Sequence, residues 1–184
     1  MSLRILGGKF RGRLLHSPKG EQTRPTTSML RKAVFDILQD RIEEKRFLDL
    51  FAGSGAMGLE ALSRGAAHVT FVETNPLALK AIYQNLELLN VEATVLKKPA
   101  EEVLKKSKES FDLIYADPPY EQKGVYEALL KGVDEGEILR TEGVLFVESK
   151  SSFPAQVKLK HLVLIDERRF GSSLLRQYVK VKTF

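Results

Sequence analysis

Asp49-Leu50-Phe51-Ala52-Gly53-Ser54-Gly55-Ala56-Met57-Gly58 is the stretch from which the fold can be read. It follows an apolar run at 46–51 and leads into a helical pattern at 57–64. Glycines at 53, 55 and 58 remove the Cβ where a strand-to-helix turn must be tight, and they let backbone amides approach a ligand at the helix N-terminus. The next apolar run, 68–73, ends in Glu73, where a carboxylate facing a ribose would stand. Taken alone, the pattern fits a plain tight turn as well as a nucleotide-like cofactor site.

Working outward, apolar runs at 46–51, 68–73, 92–96, 111–116 and 143–148 alternate with helical patterns at 57–64, 76–89, 100–107 and 124–132. Strand-helix units of this length predict an α/β fold, a doubly wound and mostly parallel sheet covered on both faces. The runs 158–169 and 174–182, joined by Phe170-Gly171-Ser172-Ser173, predict a C-terminal antiparallel hairpin and bring the sheet to about seven strands. Upstream, short apolar pieces punctuated by Gly7-Gly8, Gly12 and Ser17-Pro18 read as a small β-hairpin arm. A helix over 27–42 follows, with Thr26 or Thr27 as its N-cap. The expected division is a basic arm, 1–24, and an α/β domain, 25–184.

The 184 residues are 43% apolar, enough for the core of one domain. No apolar run reaches the roughly 18 residues of a membrane span, and the first residues lack the apolar stretch of a secretory leader, so a cytoplasmic, membrane-free protein is expected. With no cysteine, thiol catalysis, cysteine zinc sites and disulfides are excluded. With only His16, His68 and His161, no metal site is expected either. The net charge of +5 is unevenly spread: residues 1–32 hold eight basic side chains against Glu21 alone, whereas the remaining 152 residues hold 21 basic and 23 acidic ones. Such a split predicts a basic strip for phosphates. Lys9, Arg11 and Arg13 alternate and would share one face of a strand, with Arg4 and Arg24 extending it, giving salt-dependent contacts to a nucleic-acid backbone.

Two features point to the chemistry. Asp49 places a carboxylate just before the glycines, where a pyrophosphate would be repelled and the ammonium of a methionine moiety attracted. This favours S-adenosylmethionine over a dinucleotide, and the chain is short for the second domain a dehydrogenase usually adds. Asp117-Pro118-Pro119-Tyr120 ends the fourth strand, at the edge of an open parallel sheet where ligands bind. Its prolines offer carbonyls and no N–H, so the turn presents one carboxylate, acceptors such as the Pro118 carbonyl, and an aromatic ring. That set suits a planar amine stacked on Tyr120 and donating to Asp117.

Together the two motifs resemble the class I S-adenosylmethionine-dependent methyltransferases, with their Rossmann-like fold. The chain resembles more closely the RsmD family of 16S ribosomal RNA guanine-N2 methyltransferases. The narrower likeness rests on Ile5-Leu6-Gly7-Gly8-Lys9-Phe10-Arg11-Gly12-Arg13, Arg24-Pro25-Thr26-Thr27, the run from Asp49 through Gly65, and Asp117-Pro118-Pro119-Tyr120. The resemblance implies that Asp49, Gly53 and Gly55 hold the methionine end of the cofactor, that Glu73 holds its ribose and that Asp117 and Tyr120 hold the target guanine. Phe51 is grouped with the cofactor contacts and Pro118 with the catalytic ones. One departure stands out: Pro99 occupies the place of the family's usual acidic residue for the adenine, which leaves the Ala100 amide or Glu101 to serve. The resemblance implies ribosomal RNA or the small ribosomal subunit as partner, and a monomer. Adenine-N6 methylation, a nicotinamide-dependent oxidoreductase and a noncatalytic RNA-binding module remain open as alternatives.

Overall fold

The computed structural model describes residues 3–18, 25–119, 124–150 and 157–182. Helix α1 spans Pro25–Leu38 and runs into a 3-10 turn, Gln39–Ile42; then come β1 (Arg46–Leu50), α2 (Ala56–Ser63), β2 (His68–Val72), α3 (Pro76–Leu89) and β3 (Thr94–Leu96). The chain continues with α4 (Ala100–Lys106), β4 (Phe111–Ala116), α5 (Val125–Glu135), β5 (Leu139–Lys150), β6 (Leu162–Phe170) and β7 (Ser173–Lys180). One seven-stranded sheet results, in the order β3-β2-β1-β4-β5-β7-β6. The pairs from β3 to β5 are parallel, and β7 pairs antiparallel with both β5 and β6, as the alternating pattern and the tail predict.

The inner strands are apolar on both faces because both are covered. On one side Phe47, Phe71, Leu113 and Phe146 pack under Leu30, Val34 and Phe35 of α1 and under α2 and α3, with Phe35 stacked on Phe47 at 6.2 Å between ring centres. On the other, Leu48, Ile114 and Leu145 meet Val103 of α4 and Leu129, Leu130 and Val133 of α5. Each fully buried side chain of this kind contributes about 1.5–3 kcal/mol. Helix α3 shows how local chemistry sets a boundary. Asn75 Oδ1 accepts the amides of Leu77 and Ala78 at 2.8 and 3.3 Å, Pro76 opens the first turn, and Asn90 closes the helix at φ 50°.

Three expectations are overturned. Helix α1 begins at Pro25, so Thr26 and Thr27 lie inside its first turn rather than capping it. Proline suits that position because its fixed φ matches the helix and its missing N–H would find no partner there. Next, β5 starts at Leu139 rather than near 143: its pairing with β4 shifts between Phe111 and Leu113, and Glu142, at φ 64°, marks the irregularity. The last concerns the N-terminal segment, which makes a bridge between Arg4 and Leu14 while residues 7–12 form turns. Lys9 and Arg11 therefore do not share a strand face with Arg13.

Candidate active site

The strand order reverses between β1 and β4, which opens a crevice over the carboxyl ends of the parallel strands. Four neighbouring strands carry a carboxylate there: Glu73 after β2, Asp49 in β1, Asp117 after β4 and Glu148 in β5. The loop from β1 to α2 is held by these groups. Gly58 donates its amide to Asp49 Oδ2 at 2.9 Å, and Gly53 donates to Glu73 Oε2 at 2.8 Å. Glu73 Oε1 also accepts the amides of Thr74 and Asn75, at 2.7 and 2.8 Å. One side chain thus ties the end of β2 to the loop beside it.

Phe51 sits at φ 62°, a left-handed conformation that costs a non-glycine residue about 1–3 kcal/mol. Gly53 and Gly55 adopt φ 52° and 78° without that cost. Gly58 has a different reason: a Cβ there would lie 2.3 Å from the Phe71 ring, so the glycine lets α2 settle on β2. Asp49 is buried, and burial pushes its carboxyl well above the usual range. The Gly58 amide opposes that rise, and the nearby charges of Glu73 and Asp117 add to it. A cation placed beside Asp49 would favour its ionised form.

A cavity of about 250 Å³ opens beside this loop, lined by Phe51, Glu73, Lys98, Pro99, Ala100, Glu101 and Pro119 among others. It falls just below the roughly 300–1,000 Å³ of drug-sized ligand sites, which is room for a group of about nucleoside size. Ala100 is the first residue of α4, and Pro99 before it gives no side-chain cap. The expected cofactor residues Phe51, Glu73 and Ala100 therefore line one cavity, and Asp49, Gly53 and Gly55 belong to the loop against it. Pro118 is buried and Asp117 half-buried at the end of β4. Tyr120 lies outside the described residues, as does Arg24. Among the described residues no group of three or more metal-ligating carboxylates or histidines occurs.

The basic strip divides. Arg4, Lys9, Arg11 and Arg13 are exposed, and the Lys9 ammonium stands 5.3 Å from the Phe10 ring centre. Arg31, counted among the basic residues of this region, is buried, which lowers its pKa; its guanidinium donates to the Arg4 carbonyl at 2.7 Å and lies 3.9 Å from Glu60. Glu60 is itself fully buried and accepts the Leu6 amide at 2.7 Å and the Arg64 guanidinium at 2.8 Å. Lys9 and Phe10 donate their amides to Ser63, at 2.7 and 2.9 Å. A Cβ on Gly8 would fall 1.9 Å from the Ser63 carbonyl oxygen, so the Gly7-Gly8 pair serves close docking as well as turning. The tip of the arm is thus seated on the C-terminal end of α2, about 12 Å along that helix from the glycine loop.

Comparison with known proteins gives the family. Residues 3–179 match the family described as Conserved hypothetical protein 95. The chain belongs to that family. A member-like relative, the Putative rRNA methyltransferase YlbH of Bacillus subtilis, is 33% identical over 183 residues, covering 97% of this chain and 99% of its own. The Ribosomal RNA small subunit methyltransferase D of Escherichia coli is 36% identical over 149 residues, 80% of this chain and 75% of its own. Among solved structures, the Putative methyltransferase yhhF from Escherichia coli superposes with a TM-score of 0.89 at 32% identity and covers 100% of both chains.

Two buried groups of the site carry no motif in the sequence. Tyr115 donates its hydroxyl to Glu148 Oε2 at 3.0 Å, and both are buried. Burial together with the charges of Asp117 and Glu148 pushes the Tyr115 hydroxyl well above its ordinary value, so it stays a donor. Tyr115 stands two residues before Asp117, on the same strand face, which is the only signal the sequence offers. Glu148 ends an apolar run one strand away, and its partner cannot be read from spacing.

Proposed function

We propose that this chain transfers the methyl group of S-adenosylmethionine to the exocyclic N2 amine of a guanine in small-subunit ribosomal RNA. The observation that carries the reading is the placement of Asp117-Pro118-Pro119 at the switch point, beside the loop braced by Asp49 and Glu73. The names of the relatives supply the RNA class. The donor set fits the cofactor. Asp49 gives a carboxylate for its ammonium, Glu73 acceptors for its ribose hydroxyls, Phe51 and Pro119 apolar walls, and Ala100 an amide for the adenine where Pro99 has none. Gly53 and Gly55, through their positive φ, turn the loop backbone toward the methionine end. When bound, the cofactor supplies an electrophilic methyl on a sulfonium.

The chain's own work is to hold the amine in line with that methyl. A guanine amine is a weak nucleophile because its lone pair is delocalised into the ring, and alignment of reactants supplies about 7–11 kcal/mol of a barrier. The base is unpaired or flipped out to reach the crevice and stacks on Tyr120. Asp117 accepts from N1–H and N2–H together, whereas adenine presents a donor next to an acceptor. The Pro118 carbonyl takes a second amine hydrogen. As the N–C bond forms and the C–S bond breaks, the amine becomes acidic and its proton leaves to Asp117 or to water. Tyr115 donates to Glu148, the carboxylate beside Asp117 in the sheet, and so fixes its position.

In this reading residues 1–24 form the RNA-contact arm, in which Arg4, Lys9, Arg11, Arg13 and Arg24 meet phosphates, and 25–184 form the catalytic domain. The reading is completed by a monomer that acts on RNA in the cytoplasm. The test is labelled methyl transfer to unmodified small-subunit ribosomal RNA and to assembled subunits, with the product nucleoside identified by mass spectrometry. N2-methylguanosine is the expected product; N6-methyladenosine, or no transfer to either substrate, would overturn the proposal.

A further inference from the structure

The charge balance along the sequence places the positive excess at the N-terminus, but the arm tip is docked at the end of α2 away from the glycine loop. Cations near the catalytic edge come from elsewhere. Strand β7 runs antiparallel to β5, with Lys150 opposite Ser173 and Glu148 opposite Leu175. Strand β6 continues the row, with Arg168 opposite Leu175 and Phe170 opposite Ser173. On the other side, Ala116 of β4 pairs with Val147, so Asp117 stands beside Glu148. Asp117, Glu148, Leu175 and Arg168 therefore lie in one row across four strands. At about 4.8 Å per strand, Arg168 is about 14 Å from Asp117. The β6–β7 turn, Gly171-Ser172, rises at the same edge as the catalytic loop.

Three cations surround that turn: Arg168, Arg169 and Lys150 are all exposed. Arg168 uses Nε on Asp166 at 2.8 Å, and Arg169 uses Nε on the Gly171 carbonyl at 3.2 Å, leaving most of each guanidinium fork for other acceptors. Successive residues of a strand face opposite sides, so Arg168 lies on the face of Asp117 and Arg169 on the other. The turn is held firmly, since Phe170 packs against the main core and α1 lies against β6. Arginine forks on a fixed element match phosphate oxygens better than mobile single charges do.

We propose that the end of the β6–β7 hairpin, with Arg168, Arg169 and Lys150, is a phosphate-contact surface that holds the RNA strand a few nucleotides from the target base. This rests on the function proposed above and adds a second anchor to the arm. The arm tip sits at the far end of α2 and the hairpin at the edge that carries Asp117, so the two anchors are separate surfaces. Contacts of this kind set the register of the strand while the crevice selects the base.

The test compares Arg168→Glu/Arg169→Glu with the wild-type chain, measuring affinity for unmodified small-subunit ribosomal RNA across a series of salt concentrations. Each lost single-strand phosphate contact lowers the salt slope by about 0.7. The expected result is a slope shallower by about 1–1.5 and at least about a tenfold loss of affinity near 0.15 M salt. Arg168→Lys/Arg169→Lys, which keeps the charges, should retain the wild-type slope. Calorimetry with S-adenosylmethionine should give the same heat for all three. An unchanged slope and affinity in the charge-reversed variant would overturn the hairpin surface while leaving the proposed function standing. Loss of cofactor heat along with RNA affinity would also overturn it, since the hairpin would then be acting on the fold. A wild-type chain that neither binds nor methylates this RNA would overturn the proposed function itself.

Discussion

Asp49→Asn keeps the oxygen that accepts the Gly58 amide and removes the charge, so it separates the structural work of this side chain from its work on a cofactor. The 2.9 Å bond to Gly58 survives, since an asparagine oxygen accepts as a carboxylate oxygen does. In the native protein burial raises the Asp49 pKa well above its ordinary value. The folded state therefore holds this proton more tightly than the unfolded state. Stability from that group is complete below the unfolded pKa of about 3.9 and is lost as pH rises through the folded value. Asparagine has no such loss, so the melting temperature of Asp49→Asn should overtake that of the native chain as pH rises from about 4 toward neutrality. Binding should move the other way. A hydrogen bond to a charged group is worth about 1.5–3 kcal/mol, and losing it weakens S-adenosylmethionine binding by about 10- to 100-fold. Calorimetry reads the affinity, and thermal melts from pH 4 to 8 read the stability. Native affinity should also fall with acidification, because a cation must find Asp49 ionised. An Asp49→Asn variant with undiminished affinity, or melts that lag the native chain at neutral pH, would refute the assignment of Asp49 as a buried carboxylate held ready for a cation.

Asp117→Ala should lower methyl transfer by at least about a hundredfold with cofactor affinity within about twofold of native, read by single-turnover transfer and calorimetry. Near-native turnover would remove Asp117 from the reaction. Gly58→Ala puts a methyl group 2.3 Å from the Phe71 ring and should cost about 1–3 kcal/mol in denaturant unfolding. Glu60→Gln leaves the buried Arg31 without its counter-charge and should cost about 3–5 kcal/mol by the same measurement. A change below about 1 kcal/mol would show that Arg31 is neutralised by other means.

The parallel half of the fold was legible because β1, β2 and β4 are buried on both faces and stand as short apolar runs between helical patterns. The C-terminal hairpin was legible from Gly171 between two alternating runs. What resisted was set by contacts between distant residues. Arg31 looks like any surface cation until Glu60 is found beneath it. Gly7-Gly8 reads as a turn, and the Ser63 backbone that demands the absence of a Cβ lies on another element. The beginning of β5 was missed because Arg140, Thr141 and Glu142 are exposed, break the apolar pattern and lie in the irregularity between the Leu139 and Val144 pairs with β4. In the site, Asp49, Glu73, Asp117 and Pro118 could be named from their places at strand ends. Tyr115 and Glu148 could not, because their hydrogen bond crosses from β4 to β5 and no spacing along the chain encodes it.

The buried Glu60 has a consequence for how the N-terminal segment can be handled. Cutting it away would strip Glu60 of the Leu6 amide, free Arg31 from the Arg4 carbonyl and uncover core contacts made by Leu3, Ile5 and Leu15. A truncated chain would lose its fold together with the RNA contacts proposed for the segment, and the two losses could not be told apart. The segment is thermodynamically a wall of the domain that happens to carry cations on its outer side. Its role in recognition has to be probed by exchanging those side chains one at a time, with the backbone left in place.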